Sequence, residues 1–273
     1  MNRNKSTRDI ALKASRAYHA HRAYYEDLFV QRDSRLAEVT ERELDFLERV
    51  FRADANRPIK EILDVACGSG RHIFGLARKG YKCTGLDFTP ERIKIAKERA
   101  KHEGLCVRLL QGDATQLAYE GEFDAVLALY VLSLLPSDDD VVECLRRVHR
   151  ALRKGGVLVC NIGNPFFKGK AWFSIDTIHK GLYFAEVRVP GMRDTEIATL
   201  RDFDPIQGVA WWQETDVIEA PDGTHVFRDQ ERLRLFTYWD ILHYLEAVGF
   251  KEITCYPDWK STPEMLSFVA RKD

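Results

Sequence analysis

The chain has 273 residues, 45% of them hydrophobic and 11% aromatic, enough to bury the core of one large domain or of one domain carrying an insertion. With 41 Lys plus Arg against 42 Asp plus Glu, the formal net charge of -1 supplies no long-range field to gather nucleic acid or an anionic membrane. The start, MNRNKSTRDIALKASRAYHAHRAY, is basic but lacks an apolar h-region, and no run of about 18 apolar residues occurs; neither export nor membrane spanning is expected, and a cytoplasmic location follows.

Residues 6–30 and 35–52 carry helical patterning, the second with Leu36, Val39, Leu44, Leu47 and Val50 on one face, and residues 1–57 are expected to cap the site. From residue 59 to about 162, short apolar runs alternate with helix-period segments, the grammar of βα units around a parallel sheet. The predicted strands are IKEILDVA, KCTGLD, CVRLL, FDAVLAL and GVLVCNI, whose near-continuous hydrophobicity fits strands covered on both faces. Between them, Thr89-Pro90 opens a helix with Ile93, Ala96 and Ala100 on one face. Ser137 followed by Asp138, Asp139 and Asp140 opens another, whose stripe closes at Gly155 and Gly156; the acids read as dipole partners, not metal ligands. The six cysteines are scattered, without a C-x-x-C pair, and read as reduced and structural.

After Asn164-Pro165 the pattern changes. Residues 166–235 hold aromatic and β-branched runs around Pro221-Asp222-Gly223, which predicts an antiparallel hairpin. Helix period returns in TYWDILHYLEAVGF, ended by Gly249, and the strands EITCYPD and EMLSFVARK follow. The chain thus reads as a core over 58–165 and 236–273 interrupted by a β-rich substrate lid.

The stretch ILDVACGSGRH, residues 62–72, is a strand, a tight turn and a helix N-terminus, where Gly68 and Gly70 let backbone approach a ligand. A nicotinamide fingerprint is disfavoured because Ile73 stands where its third glycine belongs. A P-loop is disfavoured because GSGRH lacks the lysine and Ser/Thr at the required spacing.

DVACGSG resembles the first motif of class I S-adenosylmethionine-dependent methyltransferases, and the likeness continues in order through GLDF, QGDA, FDAVLALY and LRKGGVLVCNI. The wording ACGSGRH is similar to the branch acting on small molecules and amines; Ala66 departs from the more frequent glycine. The resemblance implies a Rossmann-like α/β fold: a seven-stranded, mostly parallel sheet with helices on both faces, here with the antiparallel β insertion after the fifth strand. It implies S-adenosyl-L-methionine as cofactor and S-adenosyl-L-homocysteine as product. It places Asp64 beside the amino-acid part of the cofactor, with Ala66, Gly68 and Gly70 along its path. Asp87 would accept from both ribose hydroxyls, a task suited to an ionised carboxylate, which has acceptor sites only. Phe88 would lie near the adenine, Asp113 would accept from its amino group, the Ala114 backbone would donate to the ring, and Leu129 and Tyr25 would complete the cofactor site. The bland competitor for each aspartate is a turn or cap role.

A sulfonium methyl is already electrophilic, so holding a nucleophile in line with it is the main task, and a neutral amine needs little further activation. LYVLSLLP, after the fourth strand, holds no acid and no N/D-P-P-Y/F tetrapeptide of the family's nucleic-acid amino-methyltransferases. Acidic metal ligands of catechol-type enzymes are absent too, so no metal is expected. Tyr130 is the candidate catalytic residue, with a packed core role as its rival. Tyr24 and Tyr25 resemble an N-terminal tyrosine-acid step that folds over the cofactor in small-molecule members. His149 reads as structural, while His179 and His225 are candidate proton acceptors. Trp172, Tyr183, Phe184, Trp211 and Trp212 with Glu214 and Asp216 form a candidate cation-friendly roof, against a self-contained hydrophobic hairpin.

The expected function is methyl transfer to a small molecule at an amine nitrogen by SN2 displacement. Two alternatives stay open: an RNA or protein methyltransferase using the basic segment Arg3, Lys5, Arg8, Lys13, Arg16 and Arg22, and a non-catalytic cofactor-binding protein.

Overall fold

The computed structural model describes residues 34–53, 57–168, 171, 173–256 and 264–273. The expected helix over 6–30, the tyrosines Tyr24 and Tyr25, and the basic N-terminal arm lie outside them.

The first described element is α1 (Ser34–Ala53), whose Leu44, Leu47 and Val50 are buried, as its apolar stripe predicts. The core then alternates β1 (Glu61–Val65), α2 (Arg71–Arg78), β2 (Lys82–Asp87), α3 (Pro90–His102), β3 (Val107–Gln111), β4 (Phe123–Ala128), α4 (Asp138–Ala151) and β5 (Leu152–Gly163). After the insertion come α6 (Tyr238–Ala247), β10 (Lys251–Tyr256) and β11 (Met265–Arg271). The seven strands lie in the order β10-β11-β5-β4-β1-β2-β3; β1 to β5 pair in parallel, and β11 runs antiparallel to both β5 and β10.

Strand alternation divides the core in two. Leu63, Val65, Val126 and Ala128 face α4 and α6, packing on Val141, Leu145, Ile241 and Leu245. Ile62, Ala125, Leu127 and Val159 face the other way, onto Leu44 and Leu47 of α1, Phe74 of α2 and Ile93 of α3. A parallel sheet covered on both faces needs near-continuous apolar strands, and β4 is buried at all six positions. The caps follow the local sequence: Ser137 accepts from Asp140 N–H, and Thr237 with Asp240 forms a reciprocal capping box.

Two expectations are corrected. The helix α4 ends at Ala151, not at Gly155 and Gly156; both glycines belong to β5, where the pairing with β4 shifts register between Phe123 and Ala125 and Gly155 takes φ +74°. A Cβ on Gly156 would stand 3.0 Å from the Asp124 carbonyl oxygen, so these glycines serve a strand irregularity and not a helix stop.

The insertion is larger than the expected hairpin. A short helix α5 (Ile175–Lys180) precedes β6 (Leu182–Val189), β7 (Met192–Asp204), β8 (Val209–Ala220) and β9 (Gly223–Arg234), a four-stranded antiparallel meander. The hairpin around Pro221-Asp222 is its β8–β9 corner. Arg234 joins this sheet to the core through Asp138 (3.0 Å), which also accepts from the Tyr244 hydroxyl, and Arg232 donates to the Leu135 carbonyl. The meander is thereby anchored beside the exit of β4.

Candidate cofactor and acceptor site

Strand order reverses where β1 lies between β4 and β2, and in open α/β sheets ligands enter the crevice at the carboxyl ends of such strands. The turn after β1 is built by backbone geometry. Ala66, Gly68 and Gly70 all have positive φ (63°, 56° and 97°), Gly70 N–H donates to the Cys67 carbonyl, and Cys67 N–H donates to Leu86. Around Gly68 a Cβ would meet nothing nearer than Arg92 Nη1 at 3.7 Å, which leaves room for close approach. Behind the turn, Arg99 of α3 donates to the Ser69 carbonyl at 3.3 Å.

Alanine at 66 adopts the left-handed conformation that glycine takes without a Cβ penalty. Replacing Ala66 by glycine is expected to raise stability by about 0.5–1 kcal/mol, the left-handed penalty less glycine's extra chain entropy. A thermal melt should show an increase of about 1–2 °C; a decrease would mean the Ala66 methyl packs usefully.

Asp64 stands at the next-to-last position of β1, 2% exposed, and its Oδ2 has no hydrogen-bond partner. Burial pushes its carboxyl up to about 7, with Arg71 pulling it down and Asp87 adding to the rise. An orphaned buried oxygen is costly unless a donor arrives, and a cationic ligand group would supply one. Asp87 closes β2, 4% exposed; Oδ2 accepts from Gly68 N–H (2.9 Å) and Oδ1 from Thr89 N–H (2.8 Å). A carboxylate offers about four acceptor directions, so two remain for a vicinal diol. The residues present therefore fit a nucleoside with a cationic tail.

Asp113 caps a single 3-10 turn (Ala114–Gln116), its Oδ1 accepting from Thr115 N–H and from the Thr115 hydroxyl, both at 2.8 Å. Ala114 and Leu129 are buried in opposite core clusters, and Phe88 follows Asp87 on the same loop. Tyr25 lies outside the described residues.

Tyr130 follows β4 at φ +59°, a left-handed conformation worth about 1–2 kcal/mol of strain for a side chain of this size. Its N–H donates to Asn161 Oδ1 (2.7 Å) and its hydroxyl to Glu43 Oε1 (2.6 Å); burial and the Glu43 charge hold the phenol far above its ordinary range. Glu43, Arg71, His72 and Asn161 were not singled out by motif reasoning. The available signals were an acid four residues before Leu47 on an apolar helix face and an asparagine inside the apolar strand GVLVCNI.

The insertion's residues separate by strand alternation. Tyr183, Trp212, Glu214 and Asp216 share one face with Asp194, Glu196, Asp229 and Glu231, while Phe184 and Trp211 are on the other. Glu214, Asp216 and Trp212 are almost completely buried, whereas Phe184 is 48% exposed. The expected roof of aromatics is therefore not one surface; Trp172 lies outside the described residues. His149 packs edge-on against Phe250, His179 is exposed on α5, and His225 contacts Asp222 at 3.1 Å. Cys67, Cys83, Cys144 and Cys160 are buried free thiols, and burial pushes Cys83 and Cys144 up to about 12. Among the described residues, no group of three or more His, Cys, Asp or Glu is placed to hold a metal, and no helix is long and apolar enough to cross a membrane.

Residues 62–156 match the methyltransferase domain family. Demethylmenaquinone methyltransferase of Lactococcus lactis is 38% identical over 104 residues, 36% of this chain and 40% of that protein. This chain spans about half the length or less of the curated relatives above 30% identity that it matches. Among the solved structures that share its fold are two methyltransferases. An S-adenosylmethionine-dependent methyltransferase from Clostridium acetobutylicum has a TM-score of 0.73 at 16% identity, over 91% of this chain and 98% of that one. The S-adenosylmethionine-bound amino pentose methyltransferase of Micromonospora echinaspora has a TM-score of 0.69 at 22% identity, over 92% and 96%. With its β1 turn and its strand order, the chain thus has the fold of these S-adenosylmethionine-dependent methyltransferases, and its residues 62–156 match the methyltransferase domain family.

Proposed function

We propose that the chain transfers a methyl group to a small-molecule acceptor at an amine nitrogen. S-adenosylmethionine supplies an electrophilic methyl on a sulfonium. In the transfer the nitrogen lone pair forms the new C–N bond, the C–S bond breaks to leave the thioether of S-adenosylhomocysteine, and the nitrogen gives up a proton. In this reading Asp64, Gly68, Gly70, Asp87, Phe88 and Asp113 hold the cofactor, residues 166–235 cover the acceptor, and Tyr130 borders both.

The observation that carries the choice of nitrogen is the exit of β4, where LYVLSLLP offers no acid to take a proton from a hydroxyl or carbon acceptor, whereas a neutral amine needs none for its attack. The amino pentose methyltransferase, whose likeness runs over 92% of this chain and so past residues 62–156, supports this reading, while the demethylmenaquinone enzyme keeps a quinone-type acceptor in the comparison.

The test is S-adenosylhomocysteine formation with panels of amino sugars and aliphatic amines against matched alcohols, phenols and quinols. Amines are expected to raise turnover at least ~10-fold over the acceptor-free rate. Turnover confined to hydroxyl or quinol acceptors would overturn the nitrogen assignment, and binding without turnover on any acceptor would favour a non-catalytic role.

A further inference from the structure

Three hydrogen-bond donors from two separate elements converge on one buried side chain of a third. Glu43 is 1% exposed on the sheet-facing side of α1. Its Oε2 accepts from Arg71 Nη1 and from His72 Nε2 (2.7 Å), and its Oε1 accepts from the Tyr130 hydroxyl (2.6 Å). Arg71 and His72 are the first two residues of α2, the helix that Gly70 opens; Tyr130 leaves β4 on the far side of the crevice.

Burial works against the ionised form of Glu43, yet the hydrogen bond and charge of His72, the charge of Arg71 and the Tyr130 hydroxyl outweigh it and bring the carboxyl down to about 2. An ionised carboxylate only accepts, so the His72 nitrogen facing it carries a proton. Arg71 also spans the gap directly, its guanidinium 5.7 Å from the centre of the Tyr130 ring. Tyr130 is gripped at both ends, by Asn161 through its backbone and by Glu43 through its hydroxyl, and a strained backbone persists only where its surroundings over-determine it.

We propose that Glu43 is a positioning residue that couples the cofactor turn to Tyr130, through Arg71 and His72 on one side and the tyrosine hydroxyl on the other. Ligand at the turn then fixes the first residues of α2, and α2 fixes the tyrosine beside the acceptor. This rests on the methyltransferase reading. Because coupling between sites is reciprocal, loss of the tyrosine hydroxyl must weaken the cofactor turn in return. A chain of contacts becomes coupling only when a double-mutant cycle shows it.

The experiment measures S-adenosylhomocysteine binding by calorimetry for the wild type, Glu43→Gln, Tyr130→Phe and the double variant, at a temperature where each is folded. Glu43→Gln is expected to weaken binding about 10-fold or more and Tyr130→Phe about 3-fold or more, with the double variant no worse than Glu43→Gln alone. A second readout is the Tyr130 ring resonance in tyrosine-labelled protein, assigned with Tyr130→Phe. It should move when S-adenosylhomocysteine is added to the wild type and stay still in Glu43→Gln. If Glu43→Gln does not fold, Arg71→Lys, which keeps the charge and loses the planar fork, carries the same measurements. Wild-type binding with Glu43→Gln within threefold of it, additive losses, or a resonance shift that survives in Glu43→Gln would each overturn the positioning role while leaving the methyltransferase reading intact. No binding by the folded wild type would remove both.

Discussion

Asp87→Ala is expected to weaken S-adenosylhomocysteine binding by about 10²- to 10⁴-fold, the loss of two hydrogen bonds to a charged acceptor at about 1.5–3 kcal/mol each. The carboxylate is fixed before any ligand arrives, because Gly68 N–H and Thr89 N–H hold one oxygen each. A ribose diol would therefore meet acceptors that need no reorganisation. The same contacts make Asp87 structural: alanine strands two N–H groups in a region only 4% exposed, at a stability cost of about 2–5 kcal/mol. Circular dichroism and calorimetry on the same sample separate the two losses. Asparagine should not rescue, since its amide would face one of those N–H groups with a donor. An alanine variant that is folded and binds within threefold of wild type would show that the ribose lies elsewhere.

Gly70→Ala is expected to destabilise the chain by about 2–6 kcal/mol, from backbone strain of about 1–3 kcal/mol and overpacking of similar size. At φ +97° the position suits glycine, and an added Cβ would stand 2.4 Å from Phe74 Cζ. The ring cannot swing away cheaply: Phe74 is 1% exposed within the α1–α3 core, and the Arg99 guanidinium lies 5.2 Å from its centre. Chemical denaturation should show the loss as a lowered midpoint, and calorimetry should show cofactor binding falling with it because the N-terminus of α2 must shift. A midpoint unchanged from wild type would mean that the turn relaxes freely.

The core was legible because its code is local. Five apolar runs separated by helix-period segments announce a covered parallel sheet, and Gly68, Gly70 and Asp87 stand at strand ends where punctuation is strong. The meander was legible only at Pro221-Asp222-Gly223. Pro190-Gly191 and the Asp204 side chain, which accepts from Ile206 and Gln207 N–H, make its other corners without a comparably dense signal. The aromatic roof failed for a simple reason: Trp211 and Trp212 are neighbours in sequence and therefore opposites in a strand. Gly155 and Gly156 misled because a glycine pair after a helical stripe serves a strand bulge as well as a helix stop. Glu43 was invisible because its meaning lies in partners 28, 29 and 87 residues away, which no local pattern brings together.

The place of β11 has a consequence for biogenesis. It is hydrogen-bonded on both sides, between β5 and β10, yet the entire four-stranded meander is translated between β5 and it. Until residues 265–271 emerge from the ribosome, β5 presents an open, apolar edge to other nascent chains, and closing so distant a pairing is slow. Chaperone dependence during synthesis should therefore concentrate in the interval after β5 is made and before β11 arrives.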